Sequence, residues 1–161
     1  MLNFRFFIQI IIMVKVREAF QNEIQTIARL QEYLALETEG LKLDTTIVRE
    51  GVEAVFKDSS KGAYYMAEKD KAIAGTMLTT YEWSDWRNCD FIWIQSLYIL
   101  PEFRNSGIFK TMYGYVQDIV LQSPAYGGIR LYVDKNNHDA QKVYMKLGMS
   151  ADHYQLFEWI K

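Results

Sequence analysis

Residues 91–110 read FIWIQSLYILPEFRNSGIFK, and the fold follows from this stretch. Phe91 to Leu100 are almost all β-branched, aromatic or aliphatic, which suits a strand buried on both faces. Pro101 stops it, because proline cannot donate the next ladder hydrogen bond. A short polar turn, Glu102 to Ser106, precedes Gly107. From there Ile108, Met112, Tyr115, Val116 and Ile119 recur at helical spacing, with Ser106 as the expected N-cap. A strand, a turn carrying Arg104 and Gly107, and then a helix start make an anion site. The first helical N–H groups lack internal partners, and the helix dipole favours negative charge there. The same pattern also serves an ordinary strand-to-helix loop with no ligand.

Working outward, 161 residues at 50% hydrophobic content suit one domain with a sizeable core. A net charge of −2 argues against a nucleic-acid surface, which needs a basic patch. Cys89 is the single cysteine, so no intrachain disulfide can form and a reducing cytoplasm is the expected compartment. His138 and His153 are the only histidines, and no metal site is expected. Residues 1–13, MLNFRFFIQIIIM, form an apolar extension too short to span a bilayer and without a small-residue cleavage site. They read as an upstream extension or as an extra strand, and so as a candidate dimer contact. Residues 14–161 read as a single domain.

Val14 to Glu18 alternates as a first strand, and Glu23 to Glu37 follows as a helix stopped by Gly40. Asp44 caps a second helix, Thr46 to Phe56. Ala63 to Glu68 and Ile73 to Tyr81 form an antiparallel hairpin. Glu82 to Asp90 reads as a loop rich in aromatic and acidic groups. Beyond the central unit come a strand (Gly128 to Asp134), a helix (Asn137 to Leu147, ended by Gly148) and a closing strand (Tyr154 to Ile160). The expected class is mixed α/β, with helices on both faces of a mostly antiparallel sheet of six or seven strands.

Arg104-Asn105-Ser106-Gly107-Ile108-Phe109, after a strand ending Ile-Leu-Pro-Glu, resembles the acyl-CoA loop of the GNAT superfamily of N-acetyltransferases, Arg/Gln-x-x-Gly-x-Gly/Ala. Phe109 stands at the family's small position, so its side chain is expected to turn toward the core. Asn137-His138-Asp139-Ala140 through Tyr144 to Gly148-Met149 is similar to the family's late helix, with Met149 in place of its phenylalanine. The likeness runs from about residue 14 to 160. It implies acetyl-CoA as cosubstrate, no metal, and strands splayed beside a bulge near Leu97, Tyr98 and Ile99 whose backbone meets the pantetheine arm. It places the diphosphate on the amides of Asn105, Ser106, Gly107, Ile108, Phe109 and Lys110, with Arg104 and Lys110 as charged support. Asn137 would bond the cofactor, and it reads equally as a helix cap. Lys135, Lys142 and Arg130 are candidates for the 3′-phosphate.

Acetyl transfer by direct attack needs a held thioester, a polarised carbonyl, a deprotonated amine and a protonated leaving thiolate. Tyr144 is the implied general acid, since a phenol of pKa ~10 stays protonated at neutral pH. Glu82 is the first candidate base, with Asp85, Glu37 and Glu39 as other acidic groups on the acceptor side. Trp83 and Trp86 could bind an ammonium by their ring faces. The region from Tyr81 onward is similar to the spermidine/spermine and diamine branch. That branch's strand glutamate is matched here by Gln95, which takes up no proton at neutral pH. The expected activity is acetylation of a primary amine of a small molecule or peptide, by a homodimer acting without membrane or nucleic acid. The alternatives are a CoA-binding regulatory module without turnover and, more remotely, a Cys89 acyl-enzyme.

Overall fold

The computed structural model describes residues 14–161; the apolar extension 1–13 lies outside them. The chain divides into two compact units, one reaching to Arg130 and one running from Leu131 to Lys161. In the first, β1 (Val14–Glu18) leads to α1 (Ile24–Glu39) and α2 (Thr45–Lys57). Then come β2 (Ala63–Lys69), β3 (Ala72–Ser84), β4 (Cys89–Ile99), α3 (Ile108–Gln122) and β5 (Tyr126–Leu131). The sheet has five strands in the order β1-β2-β3-β4-β5. The first three pairings are antiparallel. The Asp90 N–H donates to the Ala125 carbonyl at 2.8 Å, so β5 starts beside the start of β4, and the helical crossover makes that pair parallel.

Local chemistry sets these boundaries. Gly40 takes φ 65° and donates to the Ala35 carbonyl, closing α1. The Asp44 carboxylate accepts from the N–H groups of Thr46 and Ile47, capping α2. Asp70 and Lys71 take φ 53° and 67°, the left-handed pair that a tight hairpin requires. Arg17 on β1 donates to Glu23 at 2.8 Å and to Glu68 on β2 at 2.7 Å, fixing the edge strand.

Strand alternation separates two core layers. Ile27, Ala28 and Leu30 of α1 and Val52 of α2 cluster with Tyr64, Met66 and Tyr98 on one face. Tyr65, one residue from both Tyr64 and Met66, points to the other face, where its ring meets Tyr115 of α3 at 5.4 Å. Each such fully buried apolar side chain contributes about 1.5–3 kcal/mol.

The structure corrects three expectations. Residues 82–84 and 89–90 are not loop: the alternating aromatics extend the hairpin, Trp83 pairs with Asp90, and only 85–88 turn. Tyr154 to Ile160 forms no strand, because an apolar run becomes a strand only when a neighbour supplies ladder partners. The described sheet therefore has five strands rather than six or seven. In the second unit, α4 spans His138–Lys146. No helix among the described residues is long and apolar enough to cross a membrane.

Candidate functional site

The central strand is interrupted where Gln95 and Ser96 fall. Leu78 pairs with Gln95 and Thr76 with Tyr98, so Ser96 and Leu97 together oppose Met77 alone. This is a β-bulge, and Ser96 takes φ 30° to make it. The bulge resets the alternation. Gln95 stands opposite Leu78 and Tyr98 lies in the α1–α2 core layer, so side chains three apart share one face. Gly75 makes room for it, since a Cβ there would lie 2.5 Å from the Tyr98 carbonyl oxygen. Counting from Ala125 beside Asp90, β5 ends about level with Ser96. The β4 residues Leu97–Ile99 therefore run past the end of β5.

After a single turn of 3-10 helix at Pro101–Phe103, the loop enters α3. Ser106 is not the cap, because its hydroxyl donates back to the Phe103 carbonyl. The N-cap is Gly107, at φ 80°, with no side chain bonded to the helix start. The first-turn amides of α3 are thus left to solvent or a ligand, and a Cβ built on Gly107 meets nothing within 4 Å. Asn105, at φ 57°, turns the chain into this cradle. The Phe109 ring lies 6.1 Å from that of Tyr113, which is buried, so the bulky side chain turns along the helix and away from the cradle. Lys110 stands exposed in the first turn.

Arg104 is committed elsewhere. Its guanidinium forms a two-pronged pair with Glu37 at 2.7 and 2.8 Å, and its Nε donates to the Ile99 carbonyl at 3.0 Å. The Tyr98 hydroxyl donates to the same Glu37 carboxylate at 3.1 Å. The Arg104 guanidinium holds the Glu37 carboxyl below its ordinary value, and Tyr98 adds to that. Glu37 is therefore an engaged ion-pair partner and not an open acceptor-side acid, while Glu39 stands exposed at the end of α1.

The remaining acceptor-side candidates separate along the hairpin. Gln95 adjoins the bulge, its amide 3.4 Å from the Thr80 hydroxyl. Glu82 accepts from the Trp93 indole and the Arg130 guanidinium, which lies over the Phe91 ring at 4.2 Å. Arg130, a 3′-phosphate candidate that reads by default as surface charge, is thus engaged by side chains of the sheet. At a strand rise of ~3.3 Å per residue, Glu82 lies roughly 13 Å along the sheet from the Leu78–Gln95 pair. Trp83, Asp85 and Trp86 reach the far end of the hairpin, whose 85–88 turn lies roughly 23 Å of strand from Ser96. Trp83 and Trp86 are 60% and 88% exposed, so they wall no pocket near the bulge.

In the second unit, the Asn137 side chain accepts from the Ala140 N–H at 3.1 Å and caps α4. Tyr144 sits half-buried on that helix, and burial pushes its phenol above the ordinary value. Lys142 pairs with Asp139 on the same helix at 3.1 Å, and Lys135 is exposed. Among the described residues no three His, Cys, Asp or Glu side chains group as metal ligands. Sequence reasoning missed Gly75 and Ser96. The sequence signal was the polar pair Gln95-Ser96 inside a mostly apolar strand and a glycine within its partner.

A mixed sheet with a bulged central strand feeding an uncapped helix start presents backbone donors suited to an anionic ligand. Residues 27–149 match the family described as Acetyltransferase (GNAT) family. A crystal structure of a possible acetyltransferase from Clostridium difficile is 38% identical, with a TM-score of 0.85, covering 92% of this chain and 97% of that one. The chain therefore belongs to the GNAT family of acetyltransferases. Two more distant structures share the fold. An aminoglycoside N-acetyltransferase in complex with CoA has 15% identity and a TM-score of 0.74, covering 93% and 96% of the two chains. A ribosomal-protein-alanine N-acetyltransferase from Brucella melitensis has 14% identity and a TM-score of 0.74, covering 92% and 100%. No curated protein sequence matches the chain.

Proposed function

We propose that the protein is an acetyl-CoA-dependent N-acetyltransferase acting on a primary amine of a small molecule or peptide. The observation that carries this reading is the cradle at Gly107, open and uncapped, shortly after the bulged end of β4. These residues fit the cosubstrate: the amides of residues 105–110 suit a diphosphate, and the β4 edge at Leu97–Ile99 suits an amide-bearing arm. When bound, acetyl-CoA supplies the activated acyl group and a thiolate leaving group.

The chain's own residues would act as follows. A backbone N–H freed at the bulge polarises the acyl carbonyl. Lys110 adds charge beside the helix start. Tyr144, protonated at neutral pH as an ordinary phenol, donates its proton to the leaving sulfur. Asn137 holds the start of α4 and can add a bond to the cosubstrate. The amine loses its proton to water. Gln95 has no basic site, and both Glu82 oxygens already accept from donors. Glu82 instead sets the Trp93–Arg130 surface along which an acceptor can lie. A homodimer, expected from the apolar extension 1–13, belongs to the same reading.

The test is thiol release from acetyl-CoA across a panel of primary amines. Amine-dependent release supports the enzyme. Tight CoA binding without release with any amine would establish the regulatory module, a reading favoured by Gln95 standing where the related branch has an acid.

A further inference from the structure

One carboxylate holds two separate parts of the proposed cosubstrate site. Glu37, in the last turns of α1, accepts from the hydroxyl of Tyr98, the residue immediately after the bulge. It also forms the two-pronged pair with Arg104, the residue that opens the loop. Arg104 turns back to the Ile99 carbonyl and lies over the Tyr98 ring at 5.5 Å, closing a ring of contacts. Between Tyr98 and Arg104 the backbone pairs Ile99 with Gly75, bonds Leu100 to Ala74 and makes the Pro101–Phe103 turn, so the strand is held by the sheet while the loop beyond it is not. This carboxylate therefore adds a side-chain tie between the strand edge and the loop. The side chains of Arg104 and Glu37 are 38% and 44% exposed, and exposed ion pairs contribute little to stability. Three donors converging on one acid at such a place indicate positioning.

We propose that Glu37 is a positioning residue that sets the angle between the bulged edge of β4 and the diphosphate loop, so that both engage one cosubstrate molecule at once. This rests on the reading of the site given above. The physical reason is effective concentration: a ligand spanning two sites gains from both only if their spacing matches its own. A ligand that uses the loop alone gains nothing from that match.

The experiment titrates CoA and ADP separately into wild-type protein and Glu37→Gln, following amide chemical shifts by NMR. CoA spans both parts, whereas ADP presents the diphosphate alone. The expected result is a CoA Kd weakened ~10-fold in the variant, with ADP affinity within ~2-fold of wild type. Equal weakening of both ligands, or no change in either, overturns the inference while leaving the enzyme reading intact. Failure of wild-type protein to bind CoA overturns both. Should Glu37→Gln fail to fold, Tyr98→Phe removes one arm of the same contact, and its CoA-specific loss is the deciding measurement.

Discussion

At the residue scale, chemistry depends on which side chains are engaged and which can still exchange a proton. Tyr144 remains an O–H donor at neutral pH because a phenol titrates near ~10, and burial pushes it higher still. Tyr144→Phe is expected to lower kcat by ~10²–10⁴-fold, the usual size of a general-acid contribution, while CoA affinity by calorimetry changes little. Deprotonation by water makes a second prediction. An alkylamine titrates near ~10.4, so kcat/KM should climb with pH toward that value, following the free-amine fraction. An inflection near pH 7 that disappears in Glu82→Gln would restore Glu82 as a direct base. The residue types were legible in the sequence, but their pairings were not. Nothing local joins Glu37 to Arg104, or Glu82 to Arg130, across separations of 67 and 48 residues.

At the scale of the element, the bulge and the helix start are backbone devices and should answer to backbone changes. Ala at Gly107 must adopt φ 80°, a left-handed conformation costing about 1–2 kcal/mol, with its methyl group in the open cradle. Gly107→Ala is expected to reduce CoA affinity by more than the accompanying fall in stability, as compared by titration and urea unfolding. Gly75→Ala acts differently. Its Cβ would press within 2.5 Å of the Tyr98 carbonyl, and relieving that overlap should cost about 1–3 kcal/mol of unfolding free energy. Caps behaved as the sequence said at Asp44 and Gly40, because each acts within a few residues. Ser106 departs because its hydroxyl found the Phe103 carbonyl, leaving the helix start to glycine.

For the whole molecule, titration bounds the stable range on both sides. Glu23 and Glu37 are held below their ordinary values, chiefly by Arg17 and Arg104. Their stabilisation is present at neutral pH and declines as acid passes the unfolded value of about 4.3 toward the lower folded ones. Tyr64 is pushed up to about 12 by burial, so stability falls again between its unfolded value near ~10 and that point. A plot of Tm against pH should be flat between these limits, and a maximum confined to pH below 4 would contradict the pairings. By itself the sequence determined the elements, their caps, the phosphate-type turn and the family likeness. Those depend on periodicity and short-range bonds. Only the tertiary structure decided the five-strand order, the site of the bulge, the extent of the hairpin and the commitment of Arg104 and Glu82. These are set by which distant strands and charges come within a few ångströms, and the sequence alone does not encode that proximity.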